Sequence, residues 1–120
     1  EGSTWEGLLF ASHHKLDNLN IIVDYNKIQS MGHIDKIINL ETLKEKFESF
    51  GCDVMEVDGH NIKQIQKALK KKSVTKPKLI IAHTTKGKGV HFMENNNLWH
   101  YRPPNQKELM EALKEVNKNA

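Results

Sequence analysis

The sequence has few of the features that define several large classes of protein. Only one of its 120 residues is a cysteine, Cys52, so the chain cannot form an internal disulfide. This excludes a small secreted scaffold held by disulfides and fits a reducing compartment, so we expect a cytoplasmic location. The longest apolar runs, such as residues 79–82, have four residues, whereas a membrane-spanning helix needs about 20. We therefore expect neither a transmembrane segment nor a signal peptide.

An excess of charge of one sign is also absent. The chain has 18 Lys and Arg residues and 15 Asp and Glu residues, which gives a formal net charge of +3. Lysines do cluster at residues 70–72, Lys76 and Lys78, and such a run can bind nucleic acid. Because the net charge is small, we favour a solvated helix C-terminus, where cations complement the helix dipole. We expect no nucleic-acid partner.

The composition that remains is typical of one globular domain with a lean core. Hydrophobic residues make up 38% of the chain and charged residues 28%. The chain opens on Glu1, directly at a predicted helix start. We therefore expect it to be a piece of something longer.

Hydrophobic periodicity predicts helices that alternate with strands. The first helix is predicted to run from a Ser3–Glu6 capping-box spacing to about Lys15. A second carries Leu43, Phe47 and Phe50 and ends at Gly51, and a third carries Ile62, Ile65 and Leu69 after the turn at 58–61. The last carries Leu109, Leu113 and Val116. Buried strands are predicted at 19–23, 54–57 and 79–82, an irregular segment at 26–39, and a long polar loop at 84–105. This order predicts an α/β fold with a parallel sheet covered by helices on both faces, in which ligands bind outside the carboxyl ends of the strands.

Two segments that follow predicted strands contain residues that could bind a metal ion or a phosphate. Residues 24–28, Asp-Tyr-Asn-Lys-Ile, offer carboxylate, amide and carbonyl oxygens, which suit Mg²⁺. An ordinary turn has the same composition, and spacing alone favours the turn. Residues 84–89, Thr-Thr-Lys-Gly-Lys-Gly, could bring backbone N–H groups and lysine charge to a phosphate, although they lack the P-loop spacing. A flexible basic loop would look the same.

The histidines do not predict a zinc site. His13 and His14 are adjacent on a predicted helix and therefore point in different directions. His100, between Trp99 and Tyr101 in the last long loop, is the histidine best placed for chemistry or phosphate contact. An aromatic cluster that pins this loop, with His100 merely solvated, is the alternative.

Four segments of the sequence, taken together, indicate a protein family more specifically than any one of them does. In chain order they are EGSTWEGLLFASHHKLDNLNIIVDYNKIQ, FGCDVMEVDGHN, KLIIAHTTKGKGVHFMEN and WHYRPP. They strongly resemble the thiamine diphosphate-binding module of the transketolase family, particularly its separately encoded N-terminal subunits. In that family the cofactor signature opens with Gly-Asp-Gly and closes at an Asn, and only the closing half is present here, as Asn26. The resemblance implies that residues 1–120 are the later portion of a transketolase diphosphate-binding module, with a fold incomplete at its N-terminus.

The resemblance also implies a role for each matching residue. Asn26 would give its side-chain oxygen to Mg²⁺ and Ile28 its backbone carbonyl, with diphosphate oxygens and a water completing the octahedron. His100 matches the family histidine that touches the diphosphate and the reacting region, so it is the catalytic candidate. Lys86 matches the point where the loop approaches the cofactor. Tyr25 replaces a second Asp found in some members, whose side chain is not a metal ligand.

The resemblance also implies partners, because the family divides its active-site residues between two modules. Glu1 and Glu6 match acidic residues near the subunit interface, although an acidic helix start would look the same. The glutamate that activates the cofactor belongs to a pyrimidine-binding module, and no segment here resembles that module. The resemblance therefore implies a C-terminal transketolase subunit or domain as partner, in a homo- or hetero-oligomer.

The implied activity is that of transketolase in the pentose phosphate pathway. A two-carbon ketol unit would pass from a ketose phosphate to an aldose phosphate, with thiamine diphosphate and Mg²⁺ as cofactors, and the isolated chain would be inactive. One alternative is an enzyme like deoxyxylulose phosphate synthase, which shares the K-G-x-G loop and the Asp-Gly-His turn. The Ser-Thr-Trp-Glu start and the Trp-His-Tyr segment favour transketolase. The other alternative is a non-catalytic remnant or interaction module of the same fold.

Overall fold

The computed structural model of the chain describes residues 1–30 and 32–119, except for the side chain of Asn119. Its helices are α1 (Gly2–His13), α2 (Ile34–Ile37), α3 (Leu43–Ser49), α4 (Ile62–Lys70) and α5 (Gln106–Asn119), with a 3₁₀-helix at Asn97–His100. Its strands are β1 (Asn20–Tyr25), β2 (Ile28–Gln29), β3 (Gly32–His33), β4 (Asp53–Asp58) and β5 (Lys78–His83). Within these ranges no helix combines the length and the apolar character that crossing a membrane requires.

The chain forms two compact units. The first, the sheet unit, comprises Glu1–Tyr25 and Leu40–Thr84. The second, the loop unit, comprises Asn26–Asn39 and the chain from Thr85 onward. The sheet unit contains α1, α3, α4 and the strands β1, β4 and β5, while the loop unit contains the remaining elements.

The predicted parallel sheet is confirmed in the sheet unit. β1 and β4 both run parallel to β5, in the order β1-β5-β4. The last strand in sequence lies in the centre because it is the most apolar: Leu79, Ile80 and Ile81 are at most 1% exposed. Since successive side chains of a strand point to opposite faces, β5 is covered on both faces.

One face of the sheet packs against α4. The buried cluster there comprises Val57, Ile80, Ala82 and Ala68, with Met55 and Ile65 packed against it. The predicted cap of this helix is confirmed, because Asn61 Oδ1 accepts a hydrogen bond from the backbone N–H of Gln64 at 3.1 Å. The cap ends the turn after β4 and directs α4 back over the sheet.

Helix α1 packs against α3 through aromatic rings. The Trp5 ring stacks on Phe47, with 5.2 Å between ring centroids, and lies 4.9 Å from Phe50. The predicted start of α1 is wrong. The helix begins at Gly2, so Ser3 is itself helical, whereas a capping residue must lie outside the helix; no side chain caps this end.

β1 is an edge strand in the described residues, not the fully buried strand that was predicted. Its side chains alternate in exposure, and Ile22 is 55% exposed although it is paired with the buried Ile80. The physical reason is that β1 pairs only with β5, and the α4 cluster covers residues of β4 and β5. One face of β1, which carries Asn20, Ile22 and Asp24, is therefore exposed.

The lysine-rich segment after α4 is largely structural. Lys78 is buried, and its Nζ donates 2.7 Å hydrogen bonds to the backbone carbonyls of Leu69 and Lys71. It therefore satisfies carbonyl groups that the end of α4 leaves without helical partners. Lys71 Nζ lies 3.4 Å from Asp53 Oδ1. These contacts agree with a helix C-terminus, but Lys78 is buried and not solvated as predicted.

The loop unit is more regular than the sequence predicts. In the segment 26–39, β2 and β3 form an antiparallel hairpin that leads into α2. The segment 84–105 contains consecutive turns and the 3₁₀-helix. The final helix is confirmed as α5, but the predicted stripe of Leu109, Leu113 and Val116 is partly exposed, and only Ala112 is buried among the described side chains of this helix.

Candidate functional site

Polar side chains gather where the three strands of the sheet unit end. Thr84 Oγ1 donates a hydrogen bond to Asp24 Oδ1, and His83 Nε2 lies 2.7 Å from Glu56 Oε2. The register explains this grouping, because the last residues of β1 and β4 both pair with His83. Sequence reasoning missed His83 and Glu56. The available signal was a glutamate inside the apolar strand β4.

Tyr25 is buried at the same strand ends. Its hydroxyl donates a 2.6 Å hydrogen bond to Glu41 Oε1, and its ring meets the His83 ring edge to face, with 5.6 Å between centroids. Burial, followed by the hydrogen bond to Glu41, raises the pKa of Tyr25 to about 12. Tyr25 is therefore a neutral hydrogen-bond donor near neutral pH, and it anchors the chain just before Asn26.

Asn26 and Ile28 present oxygen atoms on one side of the β2–β3 hairpin. Asn26 Oδ1 accepts a 2.9 Å hydrogen bond from the Ile28 N–H. The Ile34 N–H donates to the Lys27 carbonyl, so Ile28 and His33 are a non-hydrogen-bonded pair of the ladder. The N–H and C=O of Ile28 consequently both face away from β3, on the side that Asn26 Oδ1 occupies.

Lys27 separates these two residues in an uncommon backbone conformation. Its φ is 62°, which lies in the left-handed region that non-glycine residues seldom adopt. This conformation allows the Asn26 side chain to reach the N–H of Ile28, and such residues concentrate at functional sites. A backbone conformation of this kind has no signal in the sequence, and Lys27 was not singled out.

Lys86 begins the glycine-rich turn of the loop unit. Its side chain is half-buried, and its carbonyl accepts a 2.9 Å hydrogen bond from the Asn95 N–H. Gly87 follows with a φ of +75°, and a Cβ at that position would lie 2.4 Å from the Met93 carbonyl oxygen. A glycine is therefore required here for close backbone packing. The hydrogen bond and the close packing show a folded turn here, which does not favour the alternative of a flexible basic loop.

His100 ends the 3₁₀-helix and is exposed, with its ring edge-on to Tyr101 at 5.2 Å. Its neighbour Trp99 holds this segment: its ring lies 5.0 Å from Phe92, and its Nε1 donates a 2.9 Å hydrogen bond to the Phe92 carbonyl. Arg102 also packs on Trp99, with the guanidinium carbon 4.0 Å from the ring centroid. The aromatic cluster thus pins the loop and leaves the His100 ring accessible.

Asn97 links the 3₁₀-helix to the hairpin segment. Its Nδ2 donates a 3.0 Å hydrogen bond to the Ser30 carbonyl. Its Oδ1 is buried and accepts no hydrogen bond from any residue that the structure describes. Buried amide oxygens are normally paired, so Asn97 Oδ1 is an exception in this segment.

The predicted site residues divide between the two units. Asn26, Ile28, Lys86 and His100 all belong to the loop unit, which is therefore where the predicted cofactor contacts are collected. Glu1 and Glu6 belong to the sheet unit, where Glu1 precedes α1, Glu6 lies within it, and both side chains are exposed.

Known proteins similar to this chain agree on one family. The family model described as the transketolase thiamine diphosphate binding domain matches residues 1–118. One of the subunits of apulose-4-phosphate transketolase from Phocaeicola vulgatus is 38% identical over 97% of this chain. The 6-deoxy-6-sulfo-D-fructose transketolase subunit SqwG of a Clostridium species is 37% identical over 98%. The chain spans 42% and 44% of the lengths of those two proteins.

A solved structure gives the same result for the fold. The crystal structure of transketolase from Campylobacter jejuni superimposes with a TM-score of 0.89 at 36% identity, over 98% of this chain and 18% of that one. Human transketolase is 33% identical over 97% of this chain and is likewise covered over 18% of its length. The chain therefore belongs to the transketolase family and lies within its thiamine diphosphate binding domain.

Proposed function

We propose that residues 1–120 are the later portion of a transketolase diphosphate-binding module. In this proposal the chain works in the cytoplasm with a C-terminal subunit or domain that carries the activating glutamate. Together they transfer a two-carbon ketol unit from a ketose phosphate to an aldose phosphate, with thiamine diphosphate and Mg²⁺ as cofactors.

The observation that carries the proposal is the pair of oxygens on the hairpin. Asn26 Oδ1 and the Ile28 carbonyl face the same side, and neither is used by the β2–β3 ladder. An amide oxygen has two lone pairs, so Asn26 can bind a cation while it accepts from the Ile28 N–H. Two neutral oxygens suit Mg²⁺, which prefers oxygen ligands and shares them with substrate or cofactor phosphates. The donor set therefore fits, although it needs a carboxylate from elsewhere.

The remaining residues have positioning and charge roles in this proposal. When bound, thiamine diphosphate supplies the electron-accepting ring on which the two-carbon unit is carried. Asn26 and Ile28 orient the cation, and the ammonium of Lys86 offsets diphosphate charge. The exposed ring of His100 is free to donate to the diphosphate or to the reacting oxygens of the sugar.

The partner and the substrate class rest on the relatives. Two similar proteins are named as transketolase subunits, and each is a little more than twice as long as the matching segment, since the chain spans 42% of them. Their names specify apulose-4-phosphate, while the name of a third relative specifies 6-deoxy-6-sulfo-D-fructose. We infer a phosphorylated or similarly anionic sugar as substrate, and a partner surface that includes the exposed Glu1 and Glu6.

Cofactor binding can be tested by thermal unfolding. The chain is mixed with a C-terminal transketolase subunit, and Tm is measured with thiamine diphosphate and Mg²⁺ and again with a chelator. Ligand that binds only the folded protein raises Tm. Asn26→Ala should lose most of the rise because it removes a cation ligand. Asn18→Ala, an exposed asparagine before β1, is the matched control and should keep the full rise.

Each outcome decides one part of the proposal. No rise in the unsubstituted protein, tested in a form that supplies the Asp of the Gly-Asp-Gly segment, would favour a non-catalytic interaction module. An equal rise in both variants would remove Asn26 from the cation site. Ketol transfer by the purified 120-residue chain without a partner would refute the partner requirement.

A further inference from the structure

A second group of metal-ligating side chains lies in the loop unit. It comprises His91, from the loop after β5, and Glu111 and Glu115, from α5. One ligand atom of each residue lies within 4.8 Å of the other two. Glu111 and Glu115 are four residues apart on one helix, so their carboxylates share a face.

The contacts within this group orient the ligand atoms. The His91 N–H donates a 2.7 Å hydrogen bond to Glu115 Oε2, and the His91 ring Nδ1 contacts Glu115 Oε1 directly. His91 is thereby held against α5 by two independent contacts.

Glu111 has no comparable hydrogen bond to His91. Its Oε1 lies 4.0 Å from His91 Nε2, which is too far for a hydrogen bond. Two ligands of a tetrahedral Zn²⁺, each about 2.1 Å from the ion, lie roughly 3.4 Å apart. Glu115 approaches Nδ1 and Glu111 approaches Nε2, and one ion binds only one of these ring nitrogens. Coordination by Nδ1 therefore requires the Nδ1–Glu115 contact to open and Glu111 to move towards Nδ1.

The group is open to solvent. Lys88 forms a 3.3 Å ion pair with Glu94, and Lys118 interacts electrostatically with Glu115. The side chains of His91 and Glu111 are 67% and 49% exposed, so an ion can enter from solvent with its own water. An imidazole nitrogen with two carboxylates suits Zn²⁺ and not Mg²⁺, which prefers oxygen ligands alone.

We propose that His91, Glu111 and Glu115 bind one Zn²⁺-like divalent cation, with water as the fourth ligand. The ion fastens the loop after β5 to α5. This site is independent of the cofactor site, and it requires no thiamine diphosphate and no partner subunit.

The test is a titration of the full 120-residue chain with Zn²⁺ followed by calorimetry, and with Co²⁺ followed by its visible absorption. We expect saturable binding of one ion per chain. Glu111→Gln should weaken Zn²⁺ binding at least about tenfold. This exposed residue makes no hydrogen bond within the group, so its substitution leaves the fold intact. His91→Gln should have at least the same effect, and should also remove the nitrogen-ligand features from the Co²⁺ spectrum.

Two matched controls exclude adventitious sites on the surface. His13→Gln and Glu48→Gln change exposed residues of the same types on α1 and α3, and both should bind as the unsubstituted chain does. Absence of saturable binding would overturn the proposal. Binding that Glu111→Gln leaves unchanged would also overturn it, and would identify His91 and Glu115 as a hydrogen-bonded pair only.

Discussion

Each of the two units is stabilised internally by a different kind of interaction. In the sheet unit, β5 contributes three consecutive apolar side chains that are at most 1% exposed. In the loop unit the only buried hydrophobic residues are Val90 and Ala112, among the residues that the structure describes. Directional contacts of Arg102, Trp99 and Asn97 take the place of a large core there.

This difference explains why the candidate cofactor-binding residues lie in one unit and not in the other. A core of close-packed aliphatic side chains tolerates few polar atoms, because each buried polar atom needs a partner. In loops that are held by hydrogen bonds, N–H groups, carbonyls and side-chain oxygens are already oriented and can contact a ligand. The predicted cofactor residues Asn26, Ile28, Lys86 and His100 all lie in the second kind of unit.

The largest expected effect comes from opening a cavity in the sheet unit. Ile80→Ala removes buried methyl groups from the β4–β5–α4 cluster and should lower the free energy of unfolding by about 3 kcal/mol. Ile62→Ala is the matched control, since Ile62 is 70% exposed, and it should change stability little. Urea unfolding followed by circular dichroism measures both, and similar losses for the two would contradict the comparison.

A smaller and more local effect is expected in the loop unit. Gly87→Ala forces a Cβ against the Met93 carbonyl at a φ of +75°, and should destabilise the glycine-rich turn by about 1–3 kcal/mol. Gly7→Ala, within α1 and with open space around it, should instead stabilise by roughly 0.5–1 kcal/mol. Hydrogen exchange of amides 86–95 should rise only in the first variant. A rise spread over β5 as well would show that the units do not differ in this way.

The smallest effect concerns the polar contacts at the start of α5. Arg102 binds both carboxylate oxygens of Glu108, at 2.6 and 2.8 Å, and the Asn105 N–H donates to the same carboxylate. The hydrogen bonds from Arg102, followed by that from Asn105, lower the pKa of Glu108 to about 2. Because the folded-state pKa is below the unfolded value of about 4.3, this stabilisation is complete above that value and is lost as the pH falls towards 2.

The corresponding measurement is Tm against pH for the unsubstituted chain and for Glu108→Gln. The two should differ at pH 6, and the difference should shrink as the pH is lowered from about 4 to about 2. Glu45→Gln provides a comparison, because the pKa of Glu45 is also lowered by a backbone hydrogen bond but without an arginine. A Tm difference for Glu108→Gln that does not depend on pH would mean that the charge of Glu108 contributes nothing.

Much of the fold could be predicted from local pattern. The helix on Leu43 and Phe47, the Asn61 cap and the apolar strand at 79–82 all follow from periodicity and turn chemistry. The buried state of Ile22 was predicted wrongly, because an apolar strand has the same sequence at an edge as in the centre of a sheet. The capping box at Ser3 was wrong because the helix starts one residue before it.

The candidate site shows the same division. The resemblance identified Asn26, Ile28, Lys86 and His100 as candidates, and their roles stay predictions. Only the coordinates show that Lys27 adopts a positive φ, and that this conformation lets Asn26 Oδ1 and the Ile28 carbonyl share one side of the hairpin. His91 and Glu115 lie 24 positions apart, and no short-range pattern connects them.

By itself, the sequence determined the alternation of elements, the parallel sheet and the family, because these depend on the order and spacing of residue types along the chain. Tertiary structure alone decided which strand occupies the centre, which lysine is buried, and which carboxylates meet a histidine. Such outcomes depend on contacts between residues far apart in the chain. Their free energies are set by burial and by orientation, and neither is encoded in a local pattern.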